Sequence, residues 1–314
     1  MSEDSLLVSI GMPVYNGEKY IRQALDSLTA QDYEEFELII SDNASTDETR
    51  AICQEYLEKD KRLRYYRNCN NEGAISNFNR VLGMARGDYF MWAAADDLWE
   101  PSYISTLLSK LISAPGTVLA FSAFNSIDEH GEEVRTYPHL FELSSGRLFQ
   151  RLFHYMRQEE YLGKANLIYG LMRRSVIQEA GGFKVWGKNL WGMDMLIVFR
   201  LLSVGDLGLT RELLFHKRLA SSSDLSHKGR PASLTARVSQ CYSAIQDWYG
   251  YFSGYARIIN VADALTGKQR TRLRAALWKR ASQVYRREIK KALVSLAVRW
   301  VARQSRYLGF SRGV

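Results

Sequence analysis

The chain contains only three cysteines in 314 residues, Cys53, Cys69 and Cys241. So few and so widely spaced cysteines exclude a disulfide scaffold, and they are typical of a protein from a reducing compartment. No apolar run reaches about 18 residues, so no transmembrane helix is expected. The start of the chain, MSEDSLLVSIGMPVYN, lacks the basic segment of a signal peptide. We therefore expect no signal peptide and a cytoplasmic location.

Acidic residues are scarce in the last third of the chain. Residues 1–210 contain 21 Lys and Arg against 29 Asp and Glu, whereas residues 211–314 contain 21 against 5. The net charge of +8 therefore combines an acidic body with a strongly basic tail. Such a tail could meet nucleic acid, a membrane surface, an anionic substrate or a partner chain. With 46% hydrophobic residues, disorder over the whole chain is excluded.

The first 128 residues alternate short apolar runs with segments of helical periodicity. The apolar runs predict strands at 6–14, 36–42, 63–68, 89–97 and 117–128. Strands separated by helices of this length form βαβ units, which predicts an α/β fold with a mostly parallel sheet and flanking helices. Ligands of such sheets bind at the carboxyl ends of the strands. The residues to consider are therefore those that directly follow each apolar run.

The pattern is looser from about 146 to 225, and SHKGRPA at 226–232 is typical of a linker. Residues 268–314 then contain 14 Lys and Arg against one acid, Glu288. The apolar positions of this segment change face near 286–288, which predicts two helices or one bent helix. We therefore predict a catalytic domain over 1–225 and a basic, all-helical extension over 226–314.

Asp96 and Asp97 follow the fourth apolar run. Adjacent carboxylates raise each other's pKa unless a cation lies beside them. Hard oxygen ligands of this kind suit Mg²⁺ or Mn²⁺, which commonly complete their coordination with substrate phosphates. The alternative is a helix N-cap, because Asp97 precedes Pro101 by four residues.

Four longer motifs surround this pair. They read PVYNGEKYIRQALDSLTAQ (13–31), IISDNASTDET (39–49), NNEGAISNFNRVLGMARGDYFMWAAADDLWEPSYI (70–104) and GGFKVWGKNLWGMDMLIVFRLLSVGDL (181–207). In this order, the motifs resemble those of inverting family-2 glycosyltransferases of the GT-A (Rossmann-like) fold, over roughly residues 6–220. The resemblance implies that residues 1–128 bind a nucleotide sugar and that residues 129–225 form the acceptor side.

The resemblance also implies individual roles. Pro13, Val14 and Tyr15 match the loop against the base and ribose, and Asp42 matches the aspartate that accepts a hydrogen bond from the base, typically uracil. Asp96 matches a residue that touches ribose or donor sugar, Asp97 matches the ligand of a divalent metal, Mn²⁺ or Mg²⁺, and Asp194 matches the general base. The motif reads Ala95-Asp96-Asp97, and Met193 stands where many relatives carry a second acid.

Weaker candidates complete the predicted site. Asn71 lies in the turn after the third strand, Arg80 lies on the next helix, and Arg218 ends a strand near residue 215. By the resemblance, all three could contact the donor, but a turn residue and solvated basic residues are the alternatives. Trp186 and Trp191 flank Asp194 and could either stack on a sugar or belong to the core.

The function implied is transfer of a sugar from a nucleoside diphosphate, most often UDP, to an acceptor hydroxyl by a single metal-assisted displacement with inversion. A lipid-linked or polysaccharide acceptor in cell-envelope glycan synthesis is expected. A nucleic-acid-binding or membrane-binding α/β protein and a nucleotide-sugar pyrophosphorylase are the alternatives. No recognition helix, stacking platform or zinc site supports nucleic acid binding, so no nucleic-acid partner is expected.

The basic tail has two interpretations. Trp and Leu beside Lys and Arg on a helix are typical of a segment that lies on an anionic membrane surface. The alternative is a helical extension that packs on the catalytic body or on a second subunit, with its basic face in water. Peripheral membrane contact through 268–314 and a homo-oligomer therefore both stay open.

Overall fold

The computed structural model describes residues 6–143, 146–184, 191–219 and 234–307. The linker predicted at 226–232, and Trp186, lie outside these ranges. Cys53 is buried and Cys69 is exposed.

The first part of the chain alternates strands and helices as predicted. The elements are β1 (Val8–Val14), α1 (Ile21–Thr29), β2 (Phe36–Asp42), α2 (Thr49–Lys59), β3 (Leu63–Arg67), α3 (Ala74–Met84) and β4 (Tyr89–Trp92). The four strands are parallel and lie in the order β3-β2-β1-β4. The strands β1, β2 and β4 are almost wholly buried, which explains why their sequences are continuously apolar rather than alternating.

The second part extends the same sheet. Its elements are β5 (Leu98–Trp99), α4 (Tyr103–Ser113), β6 (Thr117–Ile127), β7 (Glu133–Thr136), α5 (Leu148–Arg157), β8 (Leu171–Arg173), α6 (Arg174–Ala180), α7 (Met193–Leu202) and β9 (Asp206–Arg218), with short 3-10 helices at Pro138–Leu143, Glu160–Leu162 and Lys164–Tyr169. The sheet continues β4-β8-β6-β9-β5, and β7 pairs with β6. Strands β6 and β9 are parallel to each other, whereas β8 and β5 run antiparallel to their neighbours. The predicted α/β class with a mostly parallel sheet is confirmed.

The fourth strand is shorter than predicted. It ends at Trp92, and the last ladder contact on this side is the N–H of Ala93 to the carbonyl of Gly11 at 2.9 Å. The chain then turns through Asp96 and Asp97 and re-enters the sheet as β5, where Leu98 pairs with His216 of β9. The antiparallel pairing of β5 with the end of β9 therefore decides what lies beside the two carboxylates.

Two long helices, α8 (Leu234–Val261) and α9 (Gly267–Tyr307), follow. They pack against each other, α8 packs on α7, and α9 packs on α5. Leu273, Leu277 and Val284 of α9 are buried and belong to the same hydrophobic core as the sheet. The helix α9 is continuous, so of the two predicted alternatives, two helices or one bent helix, the first is wrong and a single helix is observed. Between 268 and 307 there is no Gly or Pro to interrupt it. Among the described residues, no helix is both long and apolar enough to cross a bilayer.

Candidate active site at the carboxyl ends of the strands

The loops after β1 and β2 form one edge of the site. Pro13 and Val14 pair with Ser41 and Asp42 in the parallel ladder. The side chain of Tyr15, which follows them, is 49% exposed. Parallel strands bring their carboxyl ends to the same edge, so the predicted base-binding loop and Asp42 lie side by side.

Asp42 is fully buried and rigidly held. Its Oδ1 accepts the N–H of Ser45 at 2.8 Å, and its Oδ2 accepts the hydroxyl of Tyr65 at 2.5 Å. The Nε of Arg67 lies 3.4 Å from the same Oδ2. A carboxylate oxygen has two lone pairs, so these contacts orient Asp42 while leaving acceptor capacity toward a ligand.

The turn after β3 joins this edge through side-chain amides. The Oδ1 of Asn71 accepts hydrogen bonds from the Nδ2 of Asn43 at 2.7 Å and from the N–H of Gly73 at 2.9 Å. Arg80 on α3 donates from Nη2 to Glu72 at 2.7 Å. Asn71 is thus part of the network that shapes the turn, and Arg80 is ion-paired to the same turn. Their contacts with a donor stay predictions.

Asp97 is fully buried, and the end of β9 surrounds its carboxylate. The ammonium of Lys217 lies 2.9 Å from Oδ1 and 3.1 Å from Oδ2. Oδ1 also accepts the backbone N–H of Arg218 at 2.9 Å. Asp96 is the more exposed partner, and its Oδ1 lies 3.8 Å from the same ammonium. The cation between the two carboxylates is therefore Lys217.

This pair is electrostatically coupled. Burial raises the pKa of the Asp97 carboxyl, and the neighbouring Lys217 opposes that rise. Burial lowers the pKa of the Lys217 ammonium, but the charges of Asp97, Tyr169 and Asp96 and the hydrogen bond to Asp97 together hold that pKa above its ordinary value.

The residues present do not fit a divalent metal on Asp97. Both carboxylate oxygens already face an ammonium, and a divalent ion about 4 Å from that ammonium would be repelled by roughly 8 kcal/mol at an effective dielectric of about 20. His216 is also engaged, with Nδ1 2.8 Å from Asn125 Oδ1 and Nε2 2.9 Å from Glu100 Oε1. Within the described ranges, no three His, Cys, Asp or Glu side chains form a group that could hold a metal ion.

The buried side chain of Arg218 links three parts of the fold. Its Nε donates to the carbonyl of Asp96 at 2.9 Å, Nη1 to the carbonyl of Asp128 at 2.7 Å, and Nη2 to Gln23 Oε1 at 2.7 Å. The guanidinium also stacks 4.4 Å from the ring centroid of Tyr20. These contacts tie the end of β9 to α1 and to the turn that carries the carboxylates, so the predicted diphosphate contact of Arg218 competes with a structural role.

Asp194 lies in the first turn of α7, where the helix begins after Gly192. Its Oδ1 accepts the N–H of Met195 at 2.7 Å. Burial raises the pKa of its carboxyl, and this backbone hydrogen bond opposes the rise. A carboxylate with a raised pKa is a stronger proton acceptor, as a general base requires.

A pocket of about 330 Å³ opens in front of Asp194. Its walls come from α3, the 3-10 helix before β8 and the start of α7, and they are formed by Ala74, Ile75, Phe78, Ile168, Tyr169, Phe183, Trp191, Gly192, Met193 and Asp194. Tyr169 lies between this pocket and the strand edge, because its ring centroid is 5.4 Å from the ammonium of Lys217. Tyr169 therefore contacts the Lys217 ammonium and also lines the pocket of the predicted base.

A buried ionic cluster behind Asp194 was missed by sequence reasoning. Lys164 is fully buried and donates to the carbonyl of Gln158 at 2.7 Å, with Glu160 Oε1 at 3.5 Å. Arg280 of α9 donates from Nη2 to Glu159 and to Glu160, each at 2.7 Å. The sequence contains no pattern that predicts this contact, because Lys164 lies in an irregular segment and Arg280 is one of many basic residues in a helix.

The sequence profile of Glycosyl transferase family 2 matches residues 9–179, more than half of the chain. This chain belongs to glycosyltransferase family 2. The match ends before α7, so it includes the strand-edge candidates up to Asp97 and excludes Asp194 and Arg218.

Curated relatives match over about two fifths of this chain. An uncharacterized glycosyltransferase of Rickettsia felis is 35% identical over 134 residues, which is 41% of this chain and 21% of that protein. Glycosyltransferase GlyA of Streptococcus pneumoniae is 30% identical over 124 residues, which is 40% of this chain and 18% of GlyA. The chain thus matches about a fifth of the length of these two relatives.

Solved structures share the fold. TarS of S. aureus (residues 1–349), in complex with UDP-GlcNAc, superimposes with a TM-score of 0.63 at 16% identity, covering 88% of this chain and 72% of that one. The mannosyltransferase PcManGT from Pyrobaculum calidifontis, in complex with GDP-Man and Mn²⁺, superimposes with a TM-score of 0.52 at 15% identity, covering 93% and 86%. At these identities the likeness establishes the GT-A-like fold, with additional C-terminal helices.

Proposed function

We propose that this glycosyltransferase moves a sugar from a UDP-sugar to an acceptor hydroxyl with inversion at the anomeric carbon. The observation that carries the proposal is the placement of Tyr169, which lines the pocket of Asp194 and whose ring centroid lies 5.4 Å from the ammonium paired with Asp97. Asp194 is the only carboxylate among the described residues that line this pocket, which suits a single displacement rather than a covalent intermediate.

In the proposed reaction, Pro13, Val14 and Tyr15 hold the base and ribose, and Asp42 accepts a hydrogen bond from the base. The exposed carboxylate of Asp96 lies within reach of the ribose or the donor sugar. Asp194 takes the proton of the acceptor hydroxyl while its oxygen bonds to the anomeric carbon. The bond from that carbon to the diphosphate oxygen breaks, and the nucleoside diphosphate leaves with the electron pair.

The complex of TarS with UDP-GlcNAc supports UDP as the nucleotide, whereas the complex of PcManGT with GDP-Man keeps GDP as the competitor. Mn²⁺ in the latter complex supports the metal that the resemblance implies. At Asp97 such a metal would have to displace Lys217 from both carboxylate oxygens.

The test is a thermal-shift screen of the whole chain against UDP, GDP, UDP-GlcNAc and GDP-Man, with and without Mn²⁺. A ligand at 100 times its Kd stabilises the folded state by about 2.7 kcal/mol, which is a readily measured rise in Tm. We expect UDP and a UDP-sugar to raise Tm and Asp42→Asn to remove that rise. The proposal would be contradicted if none of the nucleotides raised Tm, or if Tm rose equally in Asp42→Asn.

We further propose a lipid-linked or polysaccharide acceptor and peripheral contact with an anionic membrane. Support comes from Trp278 of α9 and Tyr249 of α8, which are 76% and 66% exposed beside one shallow apolar groove in a basic segment. Because α9 buries Leu273 and Leu277 in the core, substitution is a better test than deletion. Trp278→Ser with Tyr249→Ser is expected to abolish flotation with anionic liposomes, and unchanged flotation would contradict membrane contact.

A further inference from the structure

The proposed reaction leaves a charge to be compensated. As the anomeric carbon–oxygen bond breaks, the leaving nucleoside diphosphate gains one negative charge. The resemblance to family-2 glycosyltransferases implies that a divalent cation on the strand-edge carboxylate would meet that charge. Here the strand-edge carboxylate holds an ammonium instead, at 2.9 and 3.1 Å.

We infer that Lys217 takes the place of the divalent cation in this enzyme, so that donor binding and sugar transfer need no metal. This inference rests on the proposed function. In it, the Lys217 ammonium contacts the diphosphate of the donor and meets the charge that develops on the leaving group. Asp97 then acts as the positioning residue that holds the ammonium.

The placement of Lys217 supports this role. Its backbone is fixed in β9, where it pairs with Ser126 of β6, and its side chain packs against the ring of Tyr169. The carboxylate of Asp97 is wholly buried beneath it, whereas 22% of the Lys217 side chain is exposed. The buried carboxylate therefore holds the ammonium in place while part of the Lys217 side chain stays accessible.

The donor count leaves capacity for a phosphate oxygen. A lysine ammonium has three N–H donors, and Asp97 accepts two of them. Asp96 Oδ1, at 3.8 Å, is beyond hydrogen-bond distance. The neighbouring Arg218 guanidinium already gives three of its five N–H donors to Asp96, Asp128 and Gln23, and the residue is 2% exposed, so the structure favours Lys217 for this part.

The experiment measures UDP binding to the whole chain by calorimetry, in EDTA and then in Mn²⁺. For the unchanged protein we expect the two Kd values to agree within about twofold. The spectrum of free Mn²⁺, followed by electron paramagnetic resonance, should not change on adding protein and UDP. Transfer or hydrolysis of the UDP-sugar should also proceed in EDTA.

Lys217→Met is expected to weaken UDP binding in EDTA by roughly 10- to 100-fold, the range of one charge-assisted hydrogen bond. Mn²⁺ should restore part of the affinity and should now bind, because Asp97 without its ammonium is a free carboxylate ligand. Lys61→Met removes an exposed lysine ahead of β3 and is the matched control, which should bind as the unchanged protein does.

Asp97→Asn combined with Lys217→Met keeps the buried pair neutral and guards against misfolding. This double variant should fold, bind UDP weakly and gain nothing from Mn²⁺. A UDP affinity in EDTA equal to that of the unchanged protein, in either variant, would overturn the role of Lys217.

The two levels of the proposal fail differently. If UDP binding or turnover of the unchanged protein disappears in EDTA and returns with one bound Mn²⁺, the role of Lys217 is wrong and the proposed transferase function stands. If neither UDP nor GDP binds in EDTA or in Mn²⁺, the proposed function is wrong and the inference on Lys217 falls with it.

Discussion

The two sides of the candidate site hold their carboxylates in opposite ways. At the strand edge, Asp97 is buried against an ammonium and a backbone N–H, so its charge is compensated within the protein. At the start of α7, Oδ1 of Asp194 accepts the N–H of Met195, and burial raises the pKa of the carboxyl. A carboxylate in contact with an ammonium suits a group that positions, whereas a buried carboxylate with a raised pKa suits a group that accepts a proton.

The neighbourhoods also differ in how they are built. The strand edge is formed by loops that follow β1, β2, β3 and β4, so its parts are close in the fold because the strands are parallel. The base side is a composite of α7, the 3-10 helices near 160–169 and the C-terminal helices. Tyr251 of α8 packs on the segment just before Asp194, and Arg280 of α9 anchors Glu160.

The largest expected effect distinguishes the two carboxylates directly. Asp194→Asn should lower the rate of UDP release by roughly 10²- to 10⁴-fold, the usual contribution of a general base. Its Kd for UDP should stay unchanged, because the base lies on the acceptor side. Asp42→Asn is the opposite control, since it should weaken UDP binding. Weakened UDP binding in Asp194→Asn would place Asp194 on the donor side and contradict its role.

Arg280→Met tests whether the C-terminal helix supports the base side. Its guanidinium pairs with Glu159 and Glu160 and is almost buried, so its loss should lower the free energy of unfolding by about 3 kcal/mol. Arg274→Met is the matched control, because Arg274 bonds Asn260 at the exposed surface of the same helix. Urea denaturation checks both variants, and equal losses would show that the cluster adds nothing specific.

Gly192→Ala tests the turn that presents Asp194. Gly192 has φ +78°, and a Cβ there would lie 2.6 Å from Cδ2 of Tyr251. Left-handed strain and overpacking together should cost about 2 kcal/mol of stability and lower kcat through a displaced base. Gly83→Ala, in α3 with no atom near the added Cβ, should not destabilise the protein. An unchanged kcat in Gly192→Ala would show that the conformation of this turn does not matter for catalysis.

The smallest expected effect is a shift in pH dependence. Burial raises the pKa of Asp194, so kcat/KM should fall as pH decreases through that raised value and Asp194 becomes protonated. The Lys164 cation lowers the same pKa. Lys164→Met should therefore move the acid limb of the profile upward, by less than about one pH unit. A downward shift would contradict the electrostatic link between the two groups.

Much of the fold and of the strand edge was predictable because both depend on local patterns. Buried parallel strands must be apolar along their length, and helices between them must show a 3.6-residue period, so strand order along the chain placed Asp42 and Asp97 at one edge. The end of the fourth strand was not predictable, because the apolar run continues past Trp92 through Ala93, Ala94 and Ala95. Only the pairing of Leu98 with His216 ends it.

The sequence by itself determined the family, the α/β class and the polar residues that follow the strands, since these depend on nearest neighbours along the chain. Tertiary structure decided which charges meet. Asp97 and Lys217 are 120 positions apart, and Glu160 and Arg280 are equally distant. Opposite charges stabilise each other only at contact distance, and contact across such separations is fixed by sheet pairing and helix packing. The register of β9 is therefore what brings the side chain of Lys217, and only the backbone N–H of Arg218, to the Asp97 carboxylate.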